Sequence, residues 1–290
     1  MDTTAEATVE HVLTLDCPET PGIVHAVSGF LVQHGCDIVE LKQFDDRAEG
    51  HFFMRVHLES AARDGATERL RKDFDEIASA YQMRWRIHPA TARRRVLVMV
   101  SRFGHCLNDL LYPARTDDLP IDIVAVVSNH RDHQALVEWH GIPFFHVPVT
   151  PDSKAAAEEH LLELADRFEV DLVVLARYMQ VLSDDLCRRL EGRAINIHHS
   201  FLPSFKGGKP YHQAHARGVK LVGATAHYVT ADLDEGPIIA QQVIEVDHTH
   251  TPQRLVAVGR DAEQAALSSA VRWHCEGRVI VQGHRTVVLR

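Results

Sequence analysis

The sequence predicts an α/β protein of two domains, a small ferredoxin-like βαββαβ unit followed by a doubly wound, mostly parallel sheet. Three observations carry this reading. Within residues 9–88, alternating apolar runs and helix-period segments follow one another in the order βαββαβ. From Val96 onward the alternation gives way to near-continuous Val, Ile and Leu runs, as strands covered on both faces require. Between the two patterns lies Pro89-Ala90-Thr91-Ala92-Arg93-Arg94-Arg95, which has no apolar period and reads as a short exposed linker. The expected boundaries are 1–88, 89–95 and 96–290.

Each element has a local reason. Glu10–Leu15 reads as a strand, and Pro21, in the turn Cys17–Gly22, suits the first turn of a helix. Ile23, Val24, Val27, Phe30 and Leu31 then recur at helical spacing, with Gly35 as the C-terminal cap. Cys36–Phe44 and His51–Leu58 alternate as a hairpin around Asp45–Gly50. Leu70, Phe74, Ile77 and Tyr81 mark a second helix, and Met83–Ile87 a fourth strand. In the larger domain, apolar strands at Val96–Val100, Ile121–Val127 and Leu172–Leu175 alternate with helical segments around Leu107–Leu111, Gln134–Trp139 and Ala155–Phe168. Strands at Ala194–His198, Leu221–Val229 and Ile238–Val246 precede a long helix from about Pro252 to His274. Arg278–Val281 and Arg285–Leu289 form a closing hairpin.

Composition narrows the function. The 290 residues carry a formal charge of −9, a poor match to nucleic acid or an anionic membrane. No apolar run approaches the ~20 residues that span a bilayer, and the acidic start MDTTAEATVEHV lacks the pattern of a signal peptide. Five scattered cysteines without a Cys-x-x-Cys pair argue against a disulfide scaffold and for a cytoplasmic setting.

The first turn of the larger domain, Ser101–Asn108, stands where a dinucleotide fold carries Gly-x-Gly-x-x-Gly, yet it holds only Gly104. A buried strand delivers Asn196 and His198 on one face at its carboxyl end, where ligands bind in open α/β sheets. Asp234 lies in a loop just before another strand. Amide, imidazole and carboxylate together suit acyl transfer from a formamide-like carbon. Taken singly, His198 also reads as a structural strand-end histidine and Asp234 as a turn former beside Gly236. His198, His199, His212 and His227 lack zinc-site spacing, so no metal is expected.

Longer segments carry a resemblance. Ile195–Gly207 (INIHHSFLPSFKG) and Leu233–Ile239 (LDEGPII) resemble the formyltransferase superfamily that handles 10-formyltetrahydrofolate. Val100–Leu111 (VSRFGHCLNDLL), Leu175–Ser183 (LARYMQVLS), Lys209–His212 (KPYH) and Gly223–Val229 (GATAHYV) look like the formyltetrahydrofolate deformylase family within it. The small domain, with Cys17–Ile23 (CPETPGI), resembles an ACT module.

The resemblance implies a Rossmann-like formyltransferase domain with Asn196, His198 and Asp234 as catalytic residues. It implies hydrolysis of 10-formyltetrahydrofolate to formate and tetrahydrofolate without a cofactor, supplying formate for purine synthesis and balancing the one-carbon folate pool. The folate is expected against Arg177, Met179, Gln180, Leu182, Thr230 and Leu233. Lys206-Gly207-Gly208-Lys209 reads either as a guide for the folate's anionic tail or as a plain turn. The ACT resemblance implies an amino-acid effector, glycine or methionine, near Glu19, Gly22, Ile23 and Asp37, and a homo-oligomer.

Arg102-Phe103-Gly104-His105 is bulky where the glycinamide ribonucleotide transferases carry an open glycine- and serine-rich loop. The stretch after His274 is too short for the RNA-binding domain of methionyl-tRNA formyltransferase. Water is then the expected nucleophile. Transfer to an amine acceptor and a non-catalytic folate or amino-acid sensor stand as alternatives.

Overall fold

The computed structural model describes residues 7–202 and 210–290, the side chains of Pro210 and Tyr211 excepted. Pro203–Gly207 of the long motif and the Lys206–Lys209 turn lie outside the described residues. The chain forms two compact units. One is the chain up to Ala92 with Glu276–Ile280 and Val287–Arg290; the other is Arg93–Cys275 with Val281–Thr286.

The first unit follows the predicted order: β1 (Thr8–Pro18), α1 (Ile23–Gln33), β2 (Cys36–Asp46), β3 (His51–Ala61), α2 (Ala66–Ala80) and β4 (Arg84–Pro89). Its antiparallel sheet has the strand order β2-β3-β1-β4. Helix-spaced Ile23, Val27, Phe30 and Leu31, with Leu70, Phe74 and Ala78, cover the sheet face carrying Leu13, Leu15, Met54, Val56 and Leu58. Alternation turns Phe53 and Arg55 to the opposite face, and both are buried. Ile280 and Leu289 pack on Phe53, while Arg55 Nε donates to the Glu276 carbonyl at 3.0 Å. Assigning all of 96–290 to the second domain is therefore corrected, because the far face of this sheet takes its cover from the last residues of the chain.

The second unit contains β5 (Arg94–Val100), α3 (His105–Arg115), β6 (Ile121–Ser128), α4 (Gln134–Trp139), β7 (Phe144–His146), α5 (Lys154–Arg167) and β8 (Leu172–Leu175). It continues with α6 (Asp184–Arg189), β9 (Ala194–His198), α7 (Pro210–Ala216), β10 (Leu221–Tyr228), β11 (Ile238–Glu245) and α8 (Pro252–Cys275). The short strands β12 (Val279–Gln282) and β13 (Arg285–Val288) pair in the predicted hairpin. The main sheet has the order β11-β10-β9-β8-β5-β6-β7, parallel from β9 to β7 and antiparallel at β10 and β11. The central strands β5 and β8 are almost wholly buried, which is why they read as continuous apolar runs.

The arginine triplet differs from its reading as an exposed linker. Arg94 and Arg95 belong to β5, opposite Ile121 and Asp122. Arg93 reaches Asp117 and Asp122 at 2.6 Å each and the Ile121 carbonyl; Arg95 Nε donates to the Phe168 carbonyl at 2.7 Å. The charged heads of Arg93 and Arg95 thus find fixed acceptors.

Candidate active site

β9 lies between parallel β8 and antiparallel β10. Its alternation buries Ile195 and Ile197 and leaves Asn196 and His198 half-buried on the other face. Opposite Asn196 in the cross-strand register stands His227, and opposite His198 stands Thr225. The buried Thr225 hydroxyl donates to the Ser200 carbonyl and accepts from the Leu202 N–H, each at 3.1 Å, fixing the chain as it leaves β9.

Asp234 reaches this point from the loop between β10 and β11. It adopts φ 59°, a left-handed conformation that Asp tolerates better than most residues. Gly236 lets the loop close down, since a Cβ there would lie 1.8 Å from the Tyr228 carbonyl oxygen. The turn-former and carboxylate readings of Asp234 thus both hold for one residue.

His198 Nδ1 is 3.1 Å from Asp234 Oδ2, and His198 Nε2 is 2.9 Å from Ser200 Oγ. His227 donates from Nδ1 to the Tyr228 carbonyl at 2.8 Å, leaving Nε2 to accept from Asn196 Nδ2 at 3.3 Å. One Asn196 N–H is so engaged, and no acceptor among the described residues takes the other. Burial raises the pKa of Asp234, but hydrogen bonding from His198 and the nearness of His227 outweigh it, holding the carboxyl well below its usual range. His199 is pushed down to about 4 by burial, then by Arg177 and His198, and is neutral at pH 7.

These groups line one cavity of about 270 Å³ together with Arg177, Met179, Gln180, Leu182, Thr230 and Leu233. All nine residues singled out for catalysis and folate contact are therefore brought together. The apolar wall also includes Leu175, Val181 and Val229. Ser101 Oγ accepts from the Met179 N–H at 3.0 Å and donates to Asn129 Oδ1 at 2.7 Å, tying the Arg177–Met179 segment to the end of β5. Ser183 caps α6 and donates its own N–H to Glu158 at 2.8 Å, fixing the other end of the wall.

Sequence reasoning missed His227 as a site residue, and Ser200. Neither carries a local signal, because His227 meets Asn196 only through strand pairing. In the first unit Glu19 and Asp37 are exposed and Gly22, φ 97°, precedes α1. Ile23 packs in the core of the first unit. Among the described residues one group, His105, Cys106 and Glu263, gathers metal-type ligands. Arg177 Nε stands 3.2 Å from the same carboxylate, and burial pushes the Cys106 thiol up, so the group suits a cation poorly.

Comparison with known proteins agrees with this architecture. Residues 11–76 match the ACT domain and residues 94–271 match the formyl transferase family. The formyltetrahydrofolate deformylase of Corynebacterium sp. (strain P-1) is 61% identical over 282 residues, covering 97% of this chain and 99% of its own length. The crystal structure of formyltetrahydrofolate deformylase from Burkholderia mallei ATCC 23344 matches with a TM-score of 0.92 and 52% identity, over 97% of this chain and 100% of that one. The structure of glycinamide ribonucleotide transformylase 1 from Symbiobacterium toebii matches with a TM-score of 0.64 and 31% identity, over 69% of this chain and 95% of that one. The chain accordingly belongs to the formyltetrahydrofolate deformylase family, with an ACT domain ahead of a formyl transferase domain.

Proposed function

We propose that this protein hydrolyses 10-formyltetrahydrofolate to formate and tetrahydrofolate, with Asn196, His198 and Asp234 as its catalytic residues. The observation that carries the reading is His198 Nδ1 held 3.1 Å from Asp234, beside Asn196, at one end of an apolar cavity. That wall suits a flat heteroaromatic ring, while the polar end suits the formyl group.

Water attacks the formyl carbon as its proton passes to Asp234. The carbonyl oxygen becomes an oxyanion held by the free Asn196 N–H and by Nε2–H of His198 in its imidazolium form. Ser200 Oγ, now 2.9 Å from Nε2, occupies that donor until substrate arrives. The C–N10 bond then breaks, N10 takes the proton held by Asp234, and formic acid departs, losing its remaining proton to solvent as formate. A low pKa keeps Asp234 ionised at neutral pH. This route calls on no metal and no cofactor.

Arg177, Met179, Gln180, Leu182, Thr230 and Leu233 contact the folate; an amino-acid effector, glycine or methionine, binds near Glu19, Gly22, Ile23 and Asp37; the enzyme is a homo-oligomer. No helix among the described residues is long and apolar enough to cross a membrane, and the five cysteines are unpaired, which supports a reducing cytoplasmic setting. Formate measured from 10-formyltetrahydrofolate with no acceptor added tests the reaction. Stoichiometric release is expected, and strict dependence on an added amine would overturn it.

A further inference from the structure

The imidazole of His198 has a partner at each of its two nitrogens. Nδ1 faces the ionised Asp234 at 3.1 Å, so it carries its proton in either charge state of the ring. Nε2 is left to meet the formyl oxygen, and in the resting molecule it is taken by Ser200 Oγ at 2.9 Å.

That hydroxyl is held in place by the sheet. His198, Thr225 and Gln241 stand in one row across β9, β10 and β11. The buried Thr225 hydroxyl donates to the Ser200 carbonyl and accepts from the Leu202 N–H. Gln241 Nε2 donates to the same hydroxyl at 3.2 Å and to the Leu202 carbonyl at 2.9 Å. Two side chains of the row therefore clamp the turn after β9 so that it folds back on the third. Ser200 is 5% exposed and stands outside the lining of the cavity, so its hydroxyl reaches the reaction only through His198.

A hydroxyl both donates and accepts, and it satisfies a bare or a protonated Nε2 without any heavy atom moving. The formyl oxygen must displace it, and the strength of each bond decides when. A neutral carbonyl oxygen offers Nε2–H about what the hydroxyl already gives. An oxyanion offers a charge-assisted bond roughly twice as strong. The exchange is near balance in the ground state and favourable in the transition state, the difference that raises kcat instead of tightening substrate binding.

Resting on the hydrolase reading, we infer that Ser200 is a positioning residue. Its hydroxyl holds the His198 ring with Nε2 towards the formyl oxygen and yields that nitrogen as charge develops. Ser200 neither gains nor loses a proton in the exchange; only the acceptor of Nε2–H changes.

Wild type, Ser200→Ala, Ser200→Cys and Ser200→Thr, each as the full chain, are compared in steady-state release of formate from 10-formyltetrahydrofolate, with thermal unfolding as the check on folding. Loss of the hydroxyl slackens the ring and frees Nε2 for the ground-state carbonyl. In Ser200→Ala both constants should therefore fall, kcat about tenfold and KM about threefold. Ser200→Cys puts a weak donor of similar size in the same place and should behave as Ala does, which carries the reading if the Ala variant does not fold. Ser200→Thr keeps a hydroxyl on the same carbon and should restore both constants to within about twofold of wild type. A role in packing alone would lower the unfolding midpoint and leave kcat and KM of the folded enzyme where they were, and that result overturns the inference. So does a fall in kcat with KM unchanged or raised, or a folded Thr variant that behaves as Ala does. A wild type that releases no formate without an amine sinks the hydrolase reading itself, whatever the variants do.

Discussion

Asn196 has two N–H groups and spends one on His227, so the second is aimed by a neighbour that cannot itself turn. Loss of one such oxyanion donor costs about 2.7–4 kcal/mol of transition-state stabilisation. Asn196→Ala should therefore lower kcat a hundredfold or more while the unfolding midpoint stays near wild type. Near-normal turnover in steady-state assays would reject the role. His199 makes a prediction of the opposite kind, on stability. Its pKa falls from the ordinary 6.5 to about 4 on folding, so between these values the unfolded chain binds more protons than the folded one. This contribution is present in full above pH 6.5 and is lost as pH falls towards 4. His199→Gln should flatten the rise in unfolding free energy across that window, measured by urea titration at several pH values; an unchanged slope would show that another group sets it. At this scale the strand period made Asn196 and His198 legible as a pair, because residues two apart share a face. His227 was not legible, since its meeting with Asn196 depends on the register between β9 and β10.

The loop between β10 and β11 works by close approach of backbone to backbone. Any side chain at Gly236 meets the Tyr228 carbonyl, which belongs to the sheet and cannot give way. In Gly236→Ala the loop must lift and carry Asp234 away from His198, so kcat/KM should fall more than tenfold, at a stability cost of about 1–3 kcal/mol. Kinetics and urea unfolding measured side by side check this, and full activity would mean that the loop relaxes elsewhere. The runs of β5 and β8 stand out because burial along them is nearly uniform, and the helical spacing of α1 because one face is buried and the other exposed. The arginines at 93–95 misled for a related reason. Charge read as solvent exposure, whereas Arg93 and Arg95 satisfy a carboxylate at the start of β6 and carbonyls in α3 and after α5.

At the scale of the molecule, the order of elements in the sequence was enough to foresee two units but not their membership. Phe53 and Arg55 alternate with core residues on β3, and nothing near them in the chain says what covers their side of the sheet. The first unit also carries the proposed effector role. Isothermal calorimetry on the active full-length enzyme should show saturable binding of glycine or methionine, lost in Asp37→Ala; flat titrations with both would leave the ACT domain an assembly role alone, which sedimentation can measure.

The cover on Phe53 has a consequence for how the molecule is made. A ribosome finishes the amino-terminal sheet roughly 190–200 residues, and on the order of ten seconds or more, before it delivers Ile280 and Leu289. Throughout that interval one flank of the nascent sheet offers an oily, half-dressed surface to whatever chaperone or neighbouring chain comes first. The earliest part translated is thus the last to be sealed.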